Sequence, residues 1–163
     1  MIDYGEIRAM LPHGAAMMLV DRIEWMEPGR ALRAVKAISG SEPCYAHLPP
    51  GLPRERYSYP VSLMIESFGQ AAAVLWHSAA GTPAPGTLLA FAAARDCRFH
   101  GRAYPGDVLR HEVEFEHAVS GTGFARGQIW VGDRRLATIG SVIAVRRAGL
   151  MRPTGDVAVP AGT

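Results

Sequence analysis

The chain has 163 residues, of which 48% are hydrophobic, 8% aromatic and 20% charged, with 17 basic side chains against 15 acidic ones. That balance excludes a disordered chain and a small disulfide-stapled scaffold, and a net charge of +2 gives no electrostatic footprint for nucleic acid. Only Lys36 among the basic residues is lysine, so the arginine excess reads as compositional bias and not as a binding signal.

Cys44 and Cys97 stand alone, without a close partner at disulfide or metal-ligand spacing, as expected of thiols in a reducing compartment. The opening Met1–Met10 carries acids and lacks an apolar core, and no run reaches the ~18 apolar residues of a membrane span. The expectation is a soluble, cytoplasmic, single-domain protein over residues 1–147, followed by a flexible tail over 148–163.

In chain order, Ile2–Met10 reads as one or two amphipathic turns, stopped by Leu11-Pro12-His13-Gly14. Met17–Met26 and Arg30–Ile38 read as a hairpin around Glu27-Pro28-Gly29. Ser39–Tyr59 is a long irregular crossing rich in proline, a length that in compact domains usually carries function. The clearest element follows. Pro60 suits a first helical turn, and Val61, Leu63, Met64, Ile65, Phe68, Ala71, Ala72, Val74 and Leu75 cover most of a helix circumference up to about Ala80. A helix apolar nearly all round is a buried one. Four strands are then expected, over Thr87–Phe99, Val108–His117, Phe124–Val131 and Leu136–Val145, with turns at Tyr104–Asp107, Ser120–Gly123 and Gly132–Arg135. Two strands, one buried helix and four more strands fit an α+β architecture, an antiparallel sheet wrapped around one central helix.

Two polar residues stand out against this pattern. Glu66 lies in the middle of the apolar helix, on one stripe with Ser62 and Gln70. A carboxylate there is costly unless it is paired or faces solvent. His47 lies in the crossing segment Cys44-Tyr45-Ala46-His47-Leu48-Pro49-Pro50. Each alone has a structural reading. Together, beside a buried helix, they make a general acid/base pair. His13 is assigned to packing and hydrogen bonding at the N-terminal turn. His77, His100, His111 and His117 show no metal-type spacing, so no metal site is expected. Ser62 lacks a Gly-x-Ser-x-Gly elbow, and a Cys44–His47 dyad rests on loop spacing alone.

Five patches in order carry a family likeness. Leu11-Pro12-His13 with Met17–Arg22 is the first, and Lys36, Ser39 and Glu42-Pro43 the second. His47-Leu48-Pro49, Pro60 with Glu66–Gln70, and Arg98-Phe99 with Pro105-Gly106-Asp107 complete the set. Over about residues 7–147 the chain resembles the beta-hydroxyacyl-ACP dehydratases of the hotdog fold.

The resemblance implies dehydration of a 3-hydroxyacyl thioester on acyl carrier protein to a trans-2-enoyl thioester, in fatty acid or polyketide/polyene biosynthesis. It implies His47 as the base for the alpha proton and Glu66 as the carboxylate that assists departure of the hydroxyl. Gln70 falls on the glutamine that supports this carboxylate. The Val61 backbone N–H, at a position where the family usually has glycine, falls on the donor to the thioester oxygen. The family's histidine works with the carboxylate of a neighbouring protomer, so a homodimer or a heterodimer with a second hotdog subunit is implied. No cofactor is implied. Arg98, Arg102 and Arg110 are candidates for the acidic surface of a carrier protein. The crossing between His47 and Pro60 is longer than the family pattern, and its Arg54-Glu55-Arg56 tip is expected to project outward. That departure, with Val61, keeps two rival readings open: a weakly catalytic or non-catalytic subunit of a heterodimeric dehydratase, and a hotdog thioesterase.

Overall fold

The computed structural model describes residues 1–81 and 87–147, and the tail expected over 148–163 lies outside the described residues. Helix α1 spans Tyr4–Met10 and opens on a reciprocal capping box, in which Asp3 accepts from the Glu6 N–H while Glu6 accepts from the Asp3 N–H. Strands β1 (Arg22–Glu27) and β2 (Ala31–Ala37) pair antiparallel. Their turn has Pro28 at its second position and Gly29 at φ 71°, closed by Arg30 N–H donating to the Glu27 carbonyl at 3.0 Å. The turn packs on the far end of the central helix, where a Cβ on Gly29 would come within 2.9 Å of the Ala79 methyl.

The central helix α2 spans Val61–Ala80, with Pro60 as its N-cap residue and not in its first turn as expected. From Ser67 to His77 every residue is buried, whereas Val61 and Ser62 are exposed. Strands β3 (Leu88–Arg95), β4 (Arg98–Phe99), β5 (Val108–Val119), β6 (Thr122–Val131) and β7 (Arg134–Arg147) complete the sheet. The order is β1-β2-β5-β6-β7-β3, with β4 on β7 and every pairing antiparallel. This is the curved sheet around one helix that the sequence led us to expect.

The curvature has a visible cause. Register slips interrupt β1–β2, β3–β7, β5–β6 and β6–β7, and each bulge bends its strand and increases local twist. At the slip in β6, Gly127 has φ 154°, and a Cβ there would lie 1.9 Å from the Glu112 carbonyl oxygen and 3.1 Å from Phe68 Cζ. Only glycine lets the sheet close on the helix there. On β5, Leu109, His111 and Val113 point to α2, while Arg110, Glu112 and Glu114 alternate outward. Burial of side chains such as Phe68, Leu75, Leu109 and Ile129 contributes roughly 1.5–3 kcal/mol each.

Two expected strands differ from those observed. The strand expected from Met17 begins only at Arg22, after a short 3₁₀ turn at Ala15–Met17. The reason is competition for the backbone. Gln70 takes up the Met17 carbonyl and the Leu19 N–H, and Ser67 takes up the Leu19 carbonyl, so these groups bond to α2 instead of to a strand. The segment Thr87–Phe99 divides into β3 and β4 at Asp96, which sits at φ 52°. The hairpin between β5 and β6 is tighter than the four residues expected: Ser120 and Gly121, at φ 49° and 76°, make the two-residue primed turn that matches strand twist. Among the described residues no helix is long and apolar enough to cross a membrane.

Candidate active site

Glu66 sits on the last half-exposed turn of α2 before the helix becomes fully buried. Its Oε1 accepts from Gln70 Nε2 at 3.0 Å, the i,i+4 geometry of one helical stripe. The same oxygen lies 3.2 Å from His13 Nε2. Gln70 is itself 1% exposed and fully committed, donating also to the Met17 carbonyl and accepting from the Leu19 N–H, each at 2.8 Å. The His13 hydrogen bond is the largest influence holding the Glu66 carboxyl below the usual carboxylate range; burial opposes it and Gln70 adds to it. Neither donor engages Oε2.

His13 therefore has a different place from the one expected. It packs against the carboxylate of α2 and not merely within the N-terminal turn. Leu11, buried as the C-cap of α1, and Gly14, the N-cap of the 3₁₀ turn, hold it from both sides. The sequence signal was the Leu-Pro-His patch itself, but nothing local links residue 13 to residue 66.

His47 is exposed, just beyond a 3₁₀ turn at Pro43–Tyr45. Within the described residues of this one chain, no hydrogen bond or ion pair joins it to Glu66. Its loop is nevertheless anchored. Lys36 Nζ donates to Glu42 Oε1 at 2.7 Å and to the Ala37 carbonyl, with both side chains about nine-tenths buried. Tyr45 and Tyr59 pack there too, and burial raises both phenol pKa values. Tyr59 N–H donates to the Ala103 carbonyl at 2.8 Å, which fixes the chain as it enters α2. One buried cluster thus supports both the His47 loop and the start of the helix.

At that start no side chain caps the helix, and the first intrahelical bond runs from Met64 N–H to the Pro60 carbonyl. The Val61, Ser62 and Leu63 N–H groups precede it, where the helix dipole adds partial positive charge. Beside Glu66, a recess of about 20 Å³ is lined by His13, Gly69, Gln70, Leu89 and Phe91. A second, about 10 Å³, shares the Phe91 wall and lies among Trp76, Phe115 and Phe124. The Phe91 ring lies on Gly69, where a Cβ would come within 2.6 Å of it.

The three arginines do not form one patch. Arg98 is exposed on β4 and Arg102 is exposed in the loop beyond it, whereas Arg110 lies on β5, separated from β4 by β6 and β7. Arg110 is half-buried over the Trp130 ring and 3.5 Å from Glu112. Arg54, Glu55 and Arg56 at the tip of the long crossing are exposed, as expected, but the tip is pinned and not loose. Arg54 stacks 4.4 Å over the Tyr104 ring, and Tyr57 Oη donates to the Pro49 carbonyl at 3.1 Å.

Comparison with known proteins gives a consistent picture. Residues 11–140 match the model of the FabA-like domain. The chain is 38% identical over 142 residues to the 3-hydroxyacyl-[acyl-carrier-protein] dehydratase FabZ of Sodalis glossinidius, covering 87% of this chain and 91% of that one. It is 37% identical to the FabZ of Pectobacterium atrosepticum, over 90% of this chain and 93% of the relative. Among solved structures, the dehydratase heterocomplex ApeI:P of Xenorhabdus doucetiae aligns with a TM-score of 0.69 at 20% identity, over 86% of this chain and 90% of that one. The E. coli PaaI protein aligns with a TM-score of 0.58 at 16% identity, over 87% and 91% of the two chains.

Proposed function

The chain belongs to the FabA-like domain family, with the hotdog fold, and from that premise we propose that it dehydrates a 3-hydroxyacyl chain carried on acyl carrier protein to the trans-2-enoyl thioester. The observation that carries this reading is Glu66, a half-buried carboxylate with one oxygen clamped and the other unengaged, at the edge of an apolar recess.

The assigned roles follow from the chemistry. His47 removes the proton alpha to the thioester carbonyl, and the developing enolate oxygen takes up the Val61 N–H at the positive end of α2. The ionised Glu66 accepts a hydrogen bond from the beta-hydroxyl and orients it. The C–O bond breaks and the hydroxyl leaves as water with the proton that His47 took; in the reverse direction Glu66 orients the attacking water. Gln70 is a positioning residue, because its remaining hydrogen bonds fix it to the Met17–Leu19 backbone. Loss of water is redox-neutral, so the reaction needs no redox cofactor.

A complete site requires a second hotdog subunit, either another copy or a related chain. Two features support this: His47 is exposed and makes no bond to Glu66 in its own chain, and β3 is a sheet edge reading Leu-Leu-Ala-Phe-Ala-Ala-Ala-Arg, without the lysine or proline that commonly protects an edge. A partner seated on β3 lies next to the Glu66 recess, since Leu89 and Phe91 line both. We place the protein in the cytoplasm, where its carrier substrate is made. Arg98 and Arg102 are the exposed candidates for an acidic carrier surface.

Incubation with a 3-hydroxyacyl carrier substrate tests the reading. Loss of one water by mass, without release of the carrier thiol, is expected; thiol release in its place would assign thioester hydrolysis. His47→Ala and Glu66→Ala are each expected to lower turnover by about 10²–10⁴-fold with the fold retained. Full activity in either variant would remove that residue from the mechanism.

A further inference from the structure

We propose that His13 is a second positioning residue of the site, which together with Gln70 clamps Oε1 of Glu66 and so dedicates Oε2 to the reacting oxygen of the substrate. The inference rests on the dehydratase reading for its functional meaning, but the contact itself stands on the geometry of one chain.

Three hydrogen bonds tie the segment that follows His13 to α2. Gln70 Nε2 donates to the Met17 carbonyl, Leu19 N–H donates to Gln70 Oε1, and Ser67 Oγ donates to the Leu19 carbonyl. On its other side His13 is held by Pro12 and the buried Leu11, whose N–H donates to the Ile7 carbonyl at 3.1 Å. The backbone of His13 is therefore fixed relative to Glu66. The imidazole then presents Nε2 to Oε1 at 3.2 Å, on the oxygen that Gln70 already engages at 3.0 Å.

Two donors on one carboxylate oxygen leave one orientation for the other. A carboxylate held by Gln70 alone still swings about its last torsion, whereas the second donor, on a separate segment of chain, removes that freedom. In the His13 ring Nδ1 is buried and has no partner among the described residues. Its orientation therefore comes from Glu66 itself. A neutral ring carrying its proton on Nε2 satisfies the contact, and so does a charged one. The other residues lining this recess, Gly69, Gln70, Ala73, Leu89, Phe91 and Ala144, carry no titratable side chain.

A donor to the ionised form holds a carboxyl's proton affinity down, and removing that donor raises it. The test is an NMR titration of the Glu66 side-chain carboxyl, without substrate, in the wild-type protein and in His13→Met, His13→Ala and His13→Gln. Both donor-less variants are expected to shift the Glu66 titration to higher pH while the fold is retained, and His13→Gln, whose amide can still donate, to hold it nearer the wild-type position. In turnover of a 3-hydroxyacyl carrier substrate, the donor-less variants are expected to lose about 10- to 100-fold in kcat with little change in KM, and His13→Gln to recover most of it. An unmoved Glu66 titration in a folded donor-less variant would overturn the clamp. So would wild-type kcat in that variant, or a loss in kcat that His13→Gln does not recover. The titration needs no substrate, so failure of the dehydratase reading and failure of the clamp give separate results.

Discussion

Glu66 and Ser67 are consecutive on α2, and each is bonded to a histidine from a distant part of the chain. The two contacts face different flanks of the helix, about 100° apart round its axis. On the open flank, His13 and Glu66 have side chains about one-quarter exposed, and the carboxylate keeps one oxygen unengaged. On the sheet-facing flank, Ser67 and His111 are completely buried, with Ser67 Oγ 2.7 Å from His111 Nε2. Because the Ser67 hydroxyl proton goes to the Leu19 carbonyl, Oγ must accept from His111, which fixes the imidazole proton on Nε2. The lesson is in the exposure. The same two residue types of partner, a histidine and an oxygen, make a tunable site where water reaches them and a rigid strut where it does not.

That contrast can be broken most sharply at Glu66. Glu66→Gln is expected to lower dehydration by about 10³-fold while thermal stability changes little, since an amide keeps the shape and one acceptor oxygen. Turnover and a melting curve on the same preparation check both halves. Ser67→Ala should do the reverse. It leaves the His111 N–H and the Leu19 carbonyl unsatisfied in the core, costing about 1–3 kcal/mol in a denaturant titration, with kcat per folded molecule falling far less than in Glu66→Gln because Gln70 still holds the Met17–Leu19 segment.

Acid should distinguish the flanks as well. Burial lowers the His111 pKa to about 3 and that of His77 to about 4, the latter aided by Arg146, from an ordinary value near 6.5. The unfolded chain therefore binds more protons between those values. Their stabilising contribution is complete above about pH 6.5 and is lost as pH falls through the folded values, by up to about 1.4 kcal/mol per pH unit for each histidine. Unfolding free energy measured from pH 7 to pH 4 should slope accordingly, and His111→Asn should flatten that slope. The smallest effect is expected at the crossing tip: Arg54→Ala removes an exposed contact with Tyr104 and should cost about 0.5–1 kcal/mol, without change in the acid/base step. A kcat pH profile identical to wild type would confirm that separation.

What was legible in the sequence follows the range of the interactions. Helix α2 was plain because its apolar residues repeat within a few positions, and the β5–β6 and β6–β7 hairpins because their glycines mark the turns. The placement of Glu66 and Gln70 on one stripe followed from the same periodicity. The start of β1 was not legible, since Met17 and Leu19 look like strand residues until Gln70 and Ser67, about fifty positions away, claim their backbone groups. His13 was missed for the same reason. Splitting of the strand at Asp96 depends on one residue with positive φ, a conformation that aspartate tolerates without advertising it.

The Lys36–Glu42 pair has a practical consequence for labelling chemistry. Lys36 is the one lysine in the whole chain, and its side chain is only 9% exposed beneath the His47 loop. A reagent directed at lysine amines reaches no other side chain of this protein, and reaches Lys36 only when the loop lifts. The modification rate at that one lysine is therefore a built-in clock for loop opening, readable as the mass increment on the peptide that contains it, apart from any label on the α-amine of the chain.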